Sequence, residues 1–286
     1  MGSAGRREQY GQVFDAVAAE YDAHRSGYPA TLVDLAMARG GLAVGSRVVE
    51  VGCGTGKLTE LLAARGLVVD AVDPGENMIA AARRRVGDDA PVTFHVGRFE
   101  DVELPEETYA ALFSATAFHW IDPHIGWQKA ASLLQPGGLL ALLVHTGLRT
   151  PESARFEEEL IAILGEHAPE IERNGSRSLD VLLDGVPERS GNVSAVWDWL
   201  MSDGRHELAV PAAASLFDDV DVASETRVID ENADQMLALF KTTSLWYRVP
   251  AERRDQLEAD DRALIERHGG SIRTTIGTFL MTARRA

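Results

Sequence analysis

Three glycines and two acids carry the most chemistry in this chain. Glu50-Val51-Gly52-Cys53-Gly54-Thr55-Gly56-Lys57 sets three glycines at alternate positions, directly after the β-branched run Val48, Val49 and Val51. Such a run reads as a parallel strand covered on both faces. The glycines let the backbone turn sharply and come close to a ligand without Cβ atoms in the way. Thr59 to Ala64 then continues a helix whose free N–H groups face the turn. A P-loop would need glycine at position 51 and serine or threonine at 58, where Val51 and Leu58 stand. A dinucleotide fingerprint would place its third glycine one residue later than Gly56. The second acid is Asp73, which closes the next apolar run, Val68-Val-Asp-Ala-Val-Asp73. A carboxylate at a strand end can accept a pair of hydroxyl hydrogen bonds.

Composition narrows the remaining choices. The chain has 286 residues, 45% hydrophobic and 25% charged, as expected for a globular protein with one large α/β domain or a core plus cap. Its formal net charge of -16 argues against a phosphate-backbone binder, so no nucleic-acid partner is expected. A local basic pocket for a small anion stays open. The single cysteine, Cys53, allows no internal disulfide and fits a reducing compartment. It reads as a small filler of the turn rather than a nucleophile. No apolar run is long enough to span a membrane, and the first residues lack the apolar core of a signal peptide. A cytoplasmic protein with no membrane partner and no metal-ligand spacing is the expectation; the oligomeric state is open.

The order of elements supports an α/β reading. A packed N-terminal helix is expected from Tyr10 to Tyr21 and a second over 31–39, forming a helical lid (1–40). The core (41–149) holds strand one, strand two over 67–72, a helix from Asn77 through Arg85 and strand three, Val92 to Val96. Strand four follows within Tyr109 to Ala117, then a helix from Gly126 to Leu134, the turn Gln135-Pro-Gly-Gly138 and strand five, Leu139 to His145. Residues 150–205 interrupt the alternation with the amphipathic stretch Arg155 to Leu164 and a segment holding Glu170, Arg173, Arg177, Arg189, Trp197 and Trp199. This is read as a helical substrate cap between strands five and six. Residues 206–286 return to the core: strand six over Val220 to Ile229, helices 231–245 and 250–268, and strand seven from Ser271 to Ala283.

Glu50-x-Gly52-x-Gly54-x-Gly56, Asp73, the Ala117-Phe-His-Trp-Ile-Asp122 loop and the Leu134-Gln-Pro-Gly-Gly138 turn together resemble the class I S-adenosylmethionine (SAM)-dependent methyltransferases. The small-molecule branch is the nearest in kind, with trans-aconitate methyltransferase and natural-product methyltransferases. The resemblance implies a Rossmann-like, doubly wound seven-stranded sheet with strand seven antiparallel. It also implies SAM at Glu50, Gly52, Cys53, Gly54 and Gly56, with Asp73 on the ribose. Tyr21 and Arg25 would flank the methionine part and Met78 the adenine. The family's acidic adenine contact falls at Arg98, a departure, so Phe99 or Glu100 is expected to take over. Ser114 would line the cleft edge. Tyr21, Met78 and the cap arginines also have plain packing or surface roles open to them. His119 is a candidate base near the acceptor, with helix capping as the alternative. Three acceptor classes stay open: a carboxylate, nucleophilic as it stands; a hydroxyl or amine served by His119; and an isoprenyl diphosphate methylated on carbon, with Glu170 removing the last proton. A SAM-binding protein without methyl transfer and a nicotinamide oxidoreductase are the rivals.

Overall fold

The computed structural model describes residues 15, 17–171, 174–201 and 208–286. Tyr10, Val13 and Phe14 of the expected first helix lie outside them, as does Arg173. Seven strands form one sheet in the order β3-β2-β1-β4-β5-β7-β6. They are β1 (Arg47–Val51), β2 (Val68–Asp73), β3 (Val92–Val96), β4 (Tyr109–Ala115), β5 (Leu134–Leu148), β6 (Phe217–Asn232) and β7 (Ser271–Arg285). The first five are parallel, and β7 runs antiparallel to both β5 and β6. The doubly wound architecture is therefore as expected. Strand order reverses between β1 and β4, where such sheets open a crevice at their carboxyl ends.

The central strands are apolar throughout because both faces are covered. Val48, Ala111, Phe113, Ala141 and Leu143 face a layer holding Leu32, Val33 and Ala36 of α2 (Ala30–Gly40), Leu58 and Leu62 of α3 (Lys57–Ala63), and Ile79 of α4 (Glu76–Val86). Their neighbours Val49, Val51, Leu112, Leu140 and Leu142 face the opposite layer, which includes Trp127 of α5 (Pro123–Leu133). The period of two thus assigns each residue of a pair to a different core.

Two boundaries shift. The Gln135-Pro-Gly-Gly138 turn is the irregular start of β5, where the pairing with β4 slips between Tyr109 and Ala111. The described residues of the 150–205 insertion pack in two places. Its α7 (Leu179–Asp184) and α8 (Val193–Met201) bury Leu182, Val193, Val196, Trp197 and Leu200 in the sheet's main core. By contrast, α6 (Ala154–His167) joins the connection between β6 and β7, made of α9 (Ala233–Lys241), α10 (Ser244–Arg248) and α11 (Arg254–Arg267). Leu164, Ala168, Ile171, Leu245, Val249 and Leu257 form one small cluster there; Phe156, Leu264, Ile265 and Ile272 are part of another. The α8 sequence is apolar nearly all round, which suits burial rather than a solvent-facing cap.

Candidate functional site

A cleft of about 470 Å³, counting its open mouth, lies at the carboxyl ends of β1, β4 and β5. Glu50, Gly52, Cys53, Gly54 and Thr55 form one wall, Ala115, Thr116 and His145 another, and Tyr21, Arg25, Ser26 and Tyr28 the cover. The predicted residues Tyr21, Arg25, Glu50, Gly52, Cys53 and Gly54 therefore do come together.

The turn owes its shape to local geometry. Gly52, Gly54 and Gly56 have φ of 70°, 54° and 83°, which side-chain-bearing residues rarely adopt. A Cβ on Gly52 would stand 2.2 Å from that of Ala117, and one on Gly56 2.9 Å from the Ala82 backbone. Gly56 begins α3 and does not line the cleft; it sets how closely α3 approaches α4. Above Gly54 there is open space, so its backbone faces the cleft bare. Asp73 ends β2 beside this turn. One of its oxygens accepts from Gly54 N–H at 2.9 Å and the other from Gly75 N–H at 2.8 Å. Burial pushes its carboxyl up to about 6, against the pull of those two amides. Asp15 Oδ1 accepts from the N–H groups of Asn77 and Met78 at the start of α4.

Glu50 is the most unusual group. It is 1% exposed, it lines the cleft, and its Oε2 has no hydrogen-bond partner among the described residues. Burial pushes its carboxyl up to about 8, with the charge of Asp73 adding to the effect. The nearby Thr59 hydroxyl offsets part of this burial; a buried carboxyl with one oxygen unpaired is costly unless a cationic ligand completes it. The ammonium of a bound amino-acid moiety would do so. The backbone bareness of Gly54 and the acids Glu50 and Asp73 fit SAM on these grounds. Burial also holds the Cys53 thiol protonated, as a filler of the turn.

The cover is tied down by polar contacts. Tyr21 and Arg25 lie on or just after α1 (Ala18–His24), with the Arg25 guanidinium 5.3 Å over the Tyr21 ring. Arg25 donates to the hydroxyl and carbonyl of Thr242 at 3.1 and 3.2 Å. Asp22 receives Thr55 Oγ1, Lys57 Nζ and Arg85 Nη2 at 2.7, 3.2 and 2.6 Å, latching α1 onto the glycine turn.

The other expected residues lie outside this lining. Met78 is 4% exposed on α4 and does not line the cleft. The Phe99 ring packs into the sheet core, 3% exposed. The Glu100 carboxylate accepts from Asp122 N–H at 3.0 Å and from Arg98, an acid occupied in bracing the loop before α5. Ser114 is fully buried and donates to Val51 O at 2.7 Å; it stitches β4 to β1 rather than lining the cleft. His119 sits in a 3-10 turn, Phe118–Trp120, 5% exposed and outside the cleft lining. Glu170 is an exposed turn residue after α6. Arg177 and Arg189 flank the Trp199 ring at 3.7 and 4.1 Å. Trp197 is core.

The reading missed His145. It occupies the carboxyl-terminal half of β5, beneath Tyr28, whose ring stacks on it at 4.7 Å and 7°. Tyr28 in turn donates to Thr116 Oγ1 at 3.0 Å, and Thr116 is held at a φ of 52°. A histidine closing an otherwise apolar strand was the available signal.

Among the described residues no group of His, Cys, Asp and Glu could hold a metal, and no helix is long and apolar enough to cross a membrane. The sheet order and the glycine turn beside Asp73 define an α/β fold of the methyltransferase type. Residues 48–138 match the family model described as methyltransferase domain. It is similar to an uncharacterized methyltransferase of Mycobacterium tuberculosis, 34% identical over 152 residues, 53% of this chain and 58% of the relative. It is also similar to trans-aconitate 2-methyltransferase of Rhizobium leguminosarum, 33% identical over 115 residues, 39% of this chain and 43% of that protein. The chain thus spans little more than half the length of the first relative and less than half that of the second. A solved structure of a candidate type II methyltransferase from Anaeromyxobacter dehalogenans aligns with a TM-score of 0.53 at 22% identity, over 91% of this chain and 97% of that one. That likeness bears on the fold.

Proposed function

We propose that this protein transfers the methyl group of SAM to an oxygen of a small anionic acceptor, with a carboxylate as the first candidate. The observation that carries the donor half is Glu50: a buried acid with an unpartnered oxygen, set in a cleft beside a bare glycine turn and one strand from Asp73. SAM supplies a methyl group on a positively charged sulfur, ready for displacement by an acceptor atom. Glu50 and the turn hold the donor's amino-acid end, and Asp73 its ribose hydroxyls. Tyr21 and Arg25 cover it and keep water out.

The acceptor half is supported by charge. Arg25 lines the cleft, and Arg227 donates to Ser26, another lining residue, so two guanidinium groups stand at this end of an otherwise acidic protein. Similarity to trans-aconitate 2-methyltransferases, over a part of their length, points the same way. A carboxylate is already a nucleophile and needs no base. Methylation of an isoprenyl diphosphate would call on Glu170, which is exposed, and on arginines such as Arg177 and Arg189, which engage Trp199.

The test is incubation with methyl-labelled SAM and a panel of carboxylic acids, phenols and amines, with SAM affinity measured by calorimetry. Labelled methyl ester is the expected product. Tight SAM binding with label on no acceptor would support a binding protein without transfer, and NADH binding without SAM binding would sink the reading altogether. Glu170→Ala is expected to keep full turnover; a general base would lose about 100-fold or more.

A further inference from the structure

We propose that His145 binds the methyl acceptor directly, its Nε2–H donating to the acceptor's carboxylate and orienting it over the ends of β4 and β5. The proposal rests on the methyl-transfer reading above and adds the residue that selects and places the acceptor.

Two contacts fix the ring. Its Nδ1 lies 2.8 Å from Thr278 Oγ1 on the adjacent β7, and its face stacks on Tyr28. With the threonine hydroxyl donating to Nδ1, the hydrogen of the neutral imidazole sits on Nε2. That nitrogen is buried, makes no well-formed hydrogen bond among the described residues although the Gly27 carbonyl lies near the ring, and belongs to a ring lining the cleft. A buried polar atom held in place and left unpaired is a position awaiting a ligand atom.

The sheet decides which ligand. The donor's anchors, Glu50 and Asp73, end β1 and β2, whereas His145 lies on β5, two strands from β1 on the other side of the reversal point. At about 5 Å per strand, His145 lies about 10 Å across the sheet from Glu50. It therefore faces the space beyond the donor's amino-acid end, not the adenosine. Its surroundings choose the charge. Burial, then the cations Arg227 and Arg25, lower the imidazole to about 4, with the Gly27 carbonyl opposing. The ring stays neutral near pH 7 and stands in a positive field. An anionic acceptor is favoured there, and a neutral N–H donor suits it. Such an acceptor has no proton to lose, so His145 orients and does not act as a base.

The experiment uses the full chain saturated with S-adenosylhomocysteine. Benzoate and the C4 to C6 di- and tricarboxylates are titrated by calorimetry, and the same acids are assayed for transfer from labelled SAM. His145→Phe keeps the ring stacking but removes both nitrogens. It is expected to hold S-adenosylhomocysteine affinity near wild type, with Tm lowered by the unpaired Thr278 hydroxyl, while raising the acceptor's Kd and KM about 10-fold or more, corresponding to one lost charged hydrogen bond. His145→Gln, which returns an N–H near the Nε2 position, should recover part of the loss and serves if the Phe variant does not fold. Unchanged acceptor binding and KM in the variants overturn the proposal alone, as does a loss that appears equally in S-adenosylhomocysteine affinity. A wild-type protein that binds SAM but neither binds nor methylates any of these acids overturns the carboxylate reading with it. Failure to bind SAM overturns the proposed function itself.

Discussion

Asp73→Ala is expected to weaken SAM binding by about 10- to 100-fold, measured by calorimetric titration, which corresponds to the loss of one or more charge-assisted hydrogen bonds. The carboxylate has about four lone-pair sites. Two are engaged by Gly54 and Gly75, whose N–H groups hold the glycine turn and the start of α4 against the end of β2. The rest are available for hydroxyl donors. Substitution removes the ligand contact and loosens the turn together, so the effect should exceed that of a surface acid. Asp73→Asn separates the two: it keeps the shape but loses acceptor capacity. The pH dependence has a defined sign. The free carboxyl lies near 6, so it is ionised at pH 7, and SAM affinity should fall as pH drops through about 6. Unchanged affinity in the Ala variant would show that the ribose does not sit at β2.

SAM binding at pH 7 is expected to release close to one proton, and Glu50→Gln is expected to abolish that release. In the free protein the Glu50 carboxyl is pushed up to about 8 by burial, so roughly nine-tenths of it is protonated at pH 7. An ammonium placed beside Oε2 favours the carboxylate, and the proton leaves. Titrations in phosphate and in Tris, which differ in ionisation enthalpy, read the proton count from the difference in heat. The Gln variant should also bind SAM about 10-fold or more weakly, having lost an ion-paired hydrogen bond. Stability follows from the same shift. The folded pKa lies above the unfolded value of 4.5, so the folded state binds more protons between about 4.5 and 8. Stability is therefore highest below that window and is lost as pH rises through it, by an amount on the order of a few kcal/mol. Asp73 contributes in the same direction at lower pH. Denaturant titrations across this range should show the decline, and Glu50→Gln should flatten it. A wild type with no proton release and no such slope would mean that Glu50 has another partner.

What could be read along the chain was whatever depends on covalent neighbours. The alternate glycines after Val48, Val49 and Val51 need positive φ at those positions, whichever fold surrounds them. An apolar strand buried on both faces looks the same in sequence and in space, so β1, β2, β4 and β5 were legible, and with them the positions of Glu50 and Asp73. Residues whose roles hang on through-space approach were not. Ser114 and Thr116 are two apart on one strand end, yet Ser114 turns to Val51 while Thr116 enters the cleft. The type of an arginine does not say what its fork will meet: Arg177 and Arg189 close on Trp199, whereas Arg25 reaches Thr242 from 217 positions away. His145 lies in the same class. Its place in the cleft requires β7 to pair antiparallel with β5, so that Thr278 holds one ring nitrogen, and requires Tyr28 to fold back over its face. Local spacing alone determined the glycine turn and its acids; the tertiary structure decided what faces them across the cleft, because that side is assembled from strand ends and a cover that meet only when the sheet closes.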